Sequence, residues 1–146
     1  MDRIDRQLVV LLQSDAQLTY EELGESVGLS TAAAYQRVRK LEESGVVLGY
    51  HAAIAPGAVG YGVLAFARVR PGPATDMAQL LRGWEMSGEV LECHAVTGDA
   101  GYLLKLRLKS IDGLGPHLTL ARRAGCSVGA DIVITTAIER WTVPVA

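Results

Sequence analysis

Over the first 45 positions apolar residues recur at helical spacing. Ile4, Leu8, Leu11 and Leu12 lie four, three and one apart, which makes one apolar stripe and predicts a first helix. Ser14, Asp15 and Gln17 interrupt it. Thr19 followed by Glu22 has the spacing of a capping box, in which the hydroxyl takes a free first-turn amide and the carboxylate reaches back. A short second helix should follow, with Leu23 and Val27 inward and Gly28 at a left-handed end. Ser30 can cap a third helix whose Ala34, Val38 and Leu41 share a face, and Gly45 is placed to end it.

From residue 46 the period changes to two. "VVLGYHAAI", residues 46–54, reads as a strand, and Pro56, Gly57, Gly60 and Gly62 mark a boundary between domains. "GVLAFARVR" predicts a strand closed by "PGP". Residues 74–86 carry a helical stripe of Met77, Leu80, Leu81 and Trp84. "EVLECHAV" and "YLLKLRLK" predict two strands around the turn "TGDAG". In the second, Leu104, Leu106 and Leu108 alternate with Lys105, Arg107 and Lys109, so one face is buried and the other is not. Residues 111–124 read as a helix with Leu114, Leu118 and Ala121 apolar. "ADIVITTAIERWTV", residues 130–143, reads as a long last strand.

These elements predict an α+β protein. Three helices with a tight turn between the second and third form a helix-turn-helix (winged-helix-like) domain over residues 1–45. Residues 46–61 are a hinge strand and linker. Residues 62–146 follow the order βαββαβ, a ferredoxin-like arrangement of four antiparallel strands with two helices on one face.

Composition narrows the class without deciding it. The chain has 146 residues, 49% apolar and 21% charged, as expected of a globular protein rather than a disordered one. No apolar run approaches the roughly 18 residues that span a bilayer. The start "MDRIDRQLVV" lacks the basic-then-apolar order of a signal peptide, and a cytoplasmic protein is expected. Net charge is −2, which argues against coating nucleic acid by bulk charge but not against a local basic patch.

The third helix is the candidate for such a patch. A helix-turn-helix offers the N-terminal, outward residues of its last helix to base edges in the major groove. Here those positions are Thr31, Ala32, Tyr35, Gln36 and Arg39, with Arg37 and Lys40 beside them. Gln36 suits adenine, and Arg39 or Arg37 suits guanine or phosphate. Thr31 and Ala32 are small enough for close approach and for contact with a thymine methyl. Ser30 and the free amides behind it suit a phosphate at the positive helix end. The plainer alternative is a solvated face in a protein–protein module. Residues 1–45 hold five basic and eight acidic residues, but the acidic ones cluster in the first two helices and at Glu42 and Glu43.

Resemblance to a known family favours the first reading. Asp2 and Asp5 with Leu11–Leu12, Glu22–Leu23, the "VGLS" turn, "RVRKLEESGVV" and Gly60 resemble the N-terminal half of the Lrp/AsnC family of prokaryotic transcriptional regulators. "EVLECHAVTGDAGYLLKLRLKSIDGL" is similar to that family's effector and assembly domain. The match runs nearly end to end and is most specific from Gly28 to Val47. The resemblance implies double-stranded DNA as a partner, and dimers formed through the sheet that assemble into tetramers or octamers. It also implies an amino acid or other small metabolite as effector. Two heads per dimer would meet half-sites about 34 Å apart.

Read alone, "TGDAG" is a hairpin turn whose glycines supply positive φ. The resemblance places it, with Gly98, Asp99, Ala100, Gly101 and Tyr102, in the effector site. Gly98 and Tyr102 match the family pattern. Gly101 stands where that family usually has an aspartate, the natural partner of a ligand's ammonium group. Asp99 as substitute, a different ligand and no ligand are the alternatives. Thr135 and Thr136 are candidate polar lining on the last strand, or simply good strand formers.

Other chemistry finds little support. His51, His94 and His117 have no metal-ligand spacing, so no metal or other cofactor is expected. Cys93 and His94 are strand neighbours pointing to opposite faces and cannot cooperate as nucleophile and base. Cys126 reads as a small core residue. No catalytic constellation is present. The expectation is an oligomeric, sequence-specific DNA-binding regulator. The alternative is a metabolite-binding module or small enzyme whose helical head makes only protein contacts.

Overall fold

In the computed structural model, which describes residues 1–99 and 101–145, the chain divides into two compact units. One comprises Met1–Ala52 with the tail that begins at Ala137, and the other is Ala53–Thr136.

The first unit is built from α1 (Arg3–Ser14), α2 (Tyr20–Val27) and α3 (Thr31–Glu43). Leu8, Leu23, Ala34, Val38 and Leu41 form its buried core, with Ile4, Leu11, Leu12 and Val27 packed around them. The helix ends are set by local chemistry. Thr19 Oγ1 accepts the Glu22 amide at 3.2 Å, and the Glu22 carboxylate accepts the Thr19 amide at 2.7 Å. That bond holds the Glu22 carboxyl below its usual range. A second capping box, between Asp2 and Asp5, starts α1. α3 closes with bonds from the Gly45 amide to the Glu42 carbonyl and from the Val46 amide to the Leu41 carbonyl, with Gly45 left-handed at φ 71°.

The second unit contains β1 (Val63–Arg70), α4 (Met77–Ser87), β2 (Val90–Ala95), β3 (Tyr102–Leu108), α5 (Leu114–Arg123) and β4 (Ser127–Ile132). The strand order is β2-β3-β1-β4 with every pairing antiparallel, the ferredoxin-like βαββαβ topology. Ala65, Ala67 and Val69 of β1 and Leu104, Leu106 and Leu108 of β3 face Leu80 and Trp84 of α4 and Ala121 of α5. The opposite sheet face carries Arg68, Arg70, Leu103, Lys105 and Arg107, as period-two alternation requires.

Two expectations need correction. Residues 46–54 form no strand, although their composition suits one. They join no sheet ladder, and alternation without a paired strand does not make a strand. For the same reason β4 ends at Ile132 instead of running to residue 143. Its partner β1 begins at Val63, so the last rung joins the Val133 amide to the Leu64 carbonyl. Thr135 and Thr136 therefore lie beyond the sheet, exposed and outside regular structure. The tail is instead fastened to the head: the Gln13 side-chain amide donates to the Val143 carbonyl at 3.1 Å, and its carbonyl accepts the Val143 amide at 2.7 Å.

Candidate nucleic-acid interface and ligand cleft

α3 buries Ala34, Val38 and Leu41, so its remaining side chains point away from the helical core. Thr31, Ala32, Tyr35, Gln36, Arg39 and Lys40 are exposed and share one broad face. Ser30 caps this helix, its Oγ accepting the Ala33 amide at 3.3 Å. The front of α3 depends on the preceding turn. Gly28 is left-handed at φ 71°, and a Cβ on Gly24 would lie 2.7 Å from the Leu29 carbonyl oxygen. Only glycine lets α2 approach the turn this closely, a requirement that the spacing of apolar residues does not reveal.

The cations of α3 differ in their freedom. Arg37 is half-buried, and its Nη1 donates to Asp2 Oδ2 at 2.6 Å and to Asp5 Oδ1 at 2.7 Å. The Asp5 amide, and after it the Arg37 guanidinium, lowers the Asp2 carboxyl to about 2. The two carboxylates raise the Arg37 guanidinium further. Arg37 thus ties α3 to the start of α1. Arg39 stays on the outer face, restrained by Glu42 at 3.2 Å and Glu43 at 3.7 Å. Tyr35 meets Tyr20 of α2 edge to face, with ring centroids 5.1 Å apart.

In the second unit a cleft of about 350 Å³ opens on the charged sheet face, lined by Arg68, Arg70, Asp99, Ser127, Val128 and Gly129. Arg70 donates from Nε to the Asp99 carbonyl, and its Nη2 lies 3.6 Å from Asp99 Oδ1. Arg68 pairs with Asp131. Of the residues named from the sequence, Asp99 lines this cleft. Gly98 and Gly101 belong to the adjoining turn with φ of 90° and 75°. Ala100 lies outside the described residues. Tyr102 opposes Val69 and packs against the core on the other face. Thr135 and Thr136 do not line the cleft. Arg68 and Arg70 were not singled out, yet the alternation of "VLAFARVR" already sets them opposite Ala65, Ala67 and Val69. A Cβ on Gly101 would stand 3.0 Å from Pro71 Cδ and 3.3 Å from the Val69 carbonyl oxygen, so this turn uses glycine for shape as well as for φ.

Cys93 is half-buried against the core, and burial pushes its thiol up, whereas His94 points outward to Glu92 at 3.0 Å. Cys126 is buried as expected. His117 is buried with its Nε2 2.8 Å from Glu89. Among the described residues no cluster of His, Cys, Asp or Glu could hold a metal ion, and no helix is long and apolar enough to cross a membrane.

A helix-turn-helix head with an outward-facing third helix, joined to an antiparallel sheet domain with a cleft, is the architecture of a two-part DNA-binding regulator. Residues 1–42 match the AsnC-type helix-turn-helix domain, and residues 64–125 match the Lrp/AsnC ligand binding domain. Over 137 residues the chain is 40% identical to the HTH-type transcriptional regulator LrpA of Mycobacterium tuberculosis, covering 93% of this chain and 91% of that one. It is 32% identical over 144 residues to the leucine-responsive regulatory protein of Escherichia coli, covering 96% and 88%. It is also similar to the crystal structure of a transcriptional regulator from Neisseria meningitidis in complex with L-methionine. The TM-score there is 0.88 at 29% identity, with 99% of this chain and 96% of that one covered. The chain belongs to the Lrp/AsnC family of transcriptional regulators. That family consists of regulators rather than enzymes, which removes the small-enzyme alternative.

Proposed function

We propose that this regulator reads its operator with Thr31, Ala32, Tyr35, Gln36 and Arg39, while Ser30 and Lys40 hold phosphate. The observation that carries the reading is the separation of α3 into a buried face and an exposed one. Arg37 serves this face indirectly, by bracing α3 against α1. Titrating the protein against DNA from upstream of its own gene and against scrambled DNA, at two salt concentrations, tests it. Specific binding should weaken with salt, with a log–log slope of about −0.9 per neutralised phosphate. Arg39→Ala should cost about 1–3 kcal/mol with relaxed specificity if it reads a base, or weaken all sequences uniformly if it holds phosphate. Unchanged binding would remove Arg39 from the interface.

The effector reading places a small zwitterion in the cleft, with Arg68 or Arg70 toward its carboxylate and Asp99 toward its ammonium group. The L-methionine complex of the Neisseria meningitidis protein supports an amino acid of that kind. Calorimetric titration with individual L-amino acids, repeated on Arg70→Ala, tests it; equal binding by both proteins would move the ligand elsewhere. Self-association is proposed from apolar side chains left uncovered: Leu48 is 92% and Ile134 99% exposed, with Ile54 and Ile138 also exposed. Sedimentation equilibrium should show a dimer or a larger assembly, working in the cytoplasm. A monomer at all concentrations would end that part of the proposal.

A further inference from the structure

Arg39 is an outward cation of α3, and its guanidinium is already engaged. Its Nη1 donates to Glu42 Oε2 at 3.2 Å, and its Nη2 lies 3.7 Å from Glu43 Oε1. The second oxygen of Glu42 is also engaged: the Tyr50 hydroxyl donates to Glu42 Oε1 at 2.9 Å. Tyr50 does not belong to α3. It lies five residues past Gly45, on the segment through which the chain leaves the helical head. One carboxylate is therefore shared between the candidate DNA-reading side chain and the connecting segment.

An unsupported Glu at this spacing holds an exposed Arg weakly, because each encounter must order two long side chains. A carboxylate already fixed by a hydroxyl on its far side has lost that freedom and keeps its near oxygen aimed at the guanidinium. To touch a base or a phosphate, Arg39 has to leave Glu42. We propose that Tyr50 is a positioning residue for DNA reading: by pinning Glu42 it holds Arg39 back along α3, so that the connecting segment sets how readily Arg39 reaches DNA. This rests on the reading of α3 as the DNA-contacting face. Partial burial and Glu42 also push the Tyr50 hydroxyl up to about 12, which keeps it a neutral donor throughout the physiological range.

The test uses the full chain and a random-sequence duplex, comparing the unaltered protein with Tyr50→Phe, Glu42→Gln, Arg39→Ala, Tyr50→Phe/Glu42→Gln and Tyr50→Phe/Arg39→Ala. Tyr50→Phe keeps the ring and changes no charge. It should tighten binding about two- to fivefold, the range of one exposed ion pair. It should also steepen the salt slope by about 0.9, because one more cation reaches a phosphate. Neither change should appear when Tyr50→Phe is added to Glu42→Gln or to Arg39→Ala. Circular dichroism and an unchanged melting midpoint would show that the head is still folded. Equal or weaker binding by Tyr50→Phe, or a gain that survives Arg39→Ala, overturns the proposal. Salt-insensitive, negligible binding by the unaltered protein would instead overturn the DNA reading itself, and this proposal with it.

Discussion

Replacing Gly24 by alanine sets two effects of opposite sign against each other. Alanine is favoured over glycine inside a helix by about 1 kcal/mol, so an unencumbered substitution in α2 would stabilise the head. At this position, however, the new methyl group would stand 2.7 Å from the Leu29 carbonyl oxygen and 3.3 Å from two backbone atoms of Ser30. Those atoms are backbone and cannot swing aside. The Leu29 amide is also bonded to the Gly24 carbonyl at 2.8 Å, which holds the turn against the helix. Forcing a methyl into such a contact costs about 1–3 kcal/mol. A 2.7 Å approach to a backbone oxygen belongs in the upper half of that range, so the steric cost exceeds the helix-propensity gain and leaves a net loss of about 1–2 kcal/mol. In a head of this size such a loss lowers its melting midpoint by roughly 4–15 °C. Hydrogen exchange followed on peptides from α2 and α3 reads the change locally. Gly115→Ala is the control, since Gly115 lies within α5, has no positive φ and has nothing within 4 Å of an added Cβ. That variant should be neutral or stabilised by up to about 1 kcal/mol. Because Leu29 and Ser30 lead into α3, Gly24→Ala should also bind DNA less tightly. A Gly24→Ala protein as stable as the unaltered one would refute the close approach on which this argument rests.

Arg37→Ala should destabilise the head by leaving Asp2 and Asp5 without their shared cation, and its DNA binding should recover when the protein is cooled; base preferences altered in fully folded protein would show that Arg37 reads DNA after all. Asp2 has a folded value of about 2 against its ordinary 3.8, so its stabilising effect is complete above about 4 and is lost as pH falls through 2. Between those limits Asp2→Asn should show a shallower loss of head stability than the unaltered protein, measured by urea unfolding at stepped pH; equal slopes would remove the Asp2 contribution. Gly101→Asp, which restores the residue usual in the resembled family, should destabilise the sheet domain by about 1–2 kcal/mol, because φ is 75° and Pro71 leaves no space. Thermal unfolding with and without amino acids checks this, and an unchanged midpoint would show that the turn tolerates a side chain.

Most of the fold was legible because it rests on local signals. Thr19 with Glu22, Gly28, Ser30 and Gly45 each mark a helix end by chemistry that acts within four or five residues, and each was found in that role. Leu104, Leu106 and Leu108 were inward for the equally local reason that strand side chains alternate. What misled was alternation without a partner. Residues 46–54 and 133–143 have the composition of strands, but a strand exists only where another chain segment takes its hydrogen bonds.

The division of labour among charges was not legible at all. Arg37 and Arg39 are two residues apart on one helix and look interchangeable in the sequence. Packing α1 against α3 brings Asp2 and Asp5, more than thirty positions away, onto Arg37 and leaves Arg39 outward. The cleft shows the same limit: the alternation of β1 places Arg68 and Arg70 on the charged face, while pairing with β4 and the turn after β2 brings Ser127, Gly129 and Asp99 beside them. The sequence by itself thus determined the elements, their caps and their buried faces, because those depend on neighbours a few residues away. Which charges neutralise one another, which strands end early and where a cleft opens depended on residues far apart in the chain, and only the tertiary structure decided them.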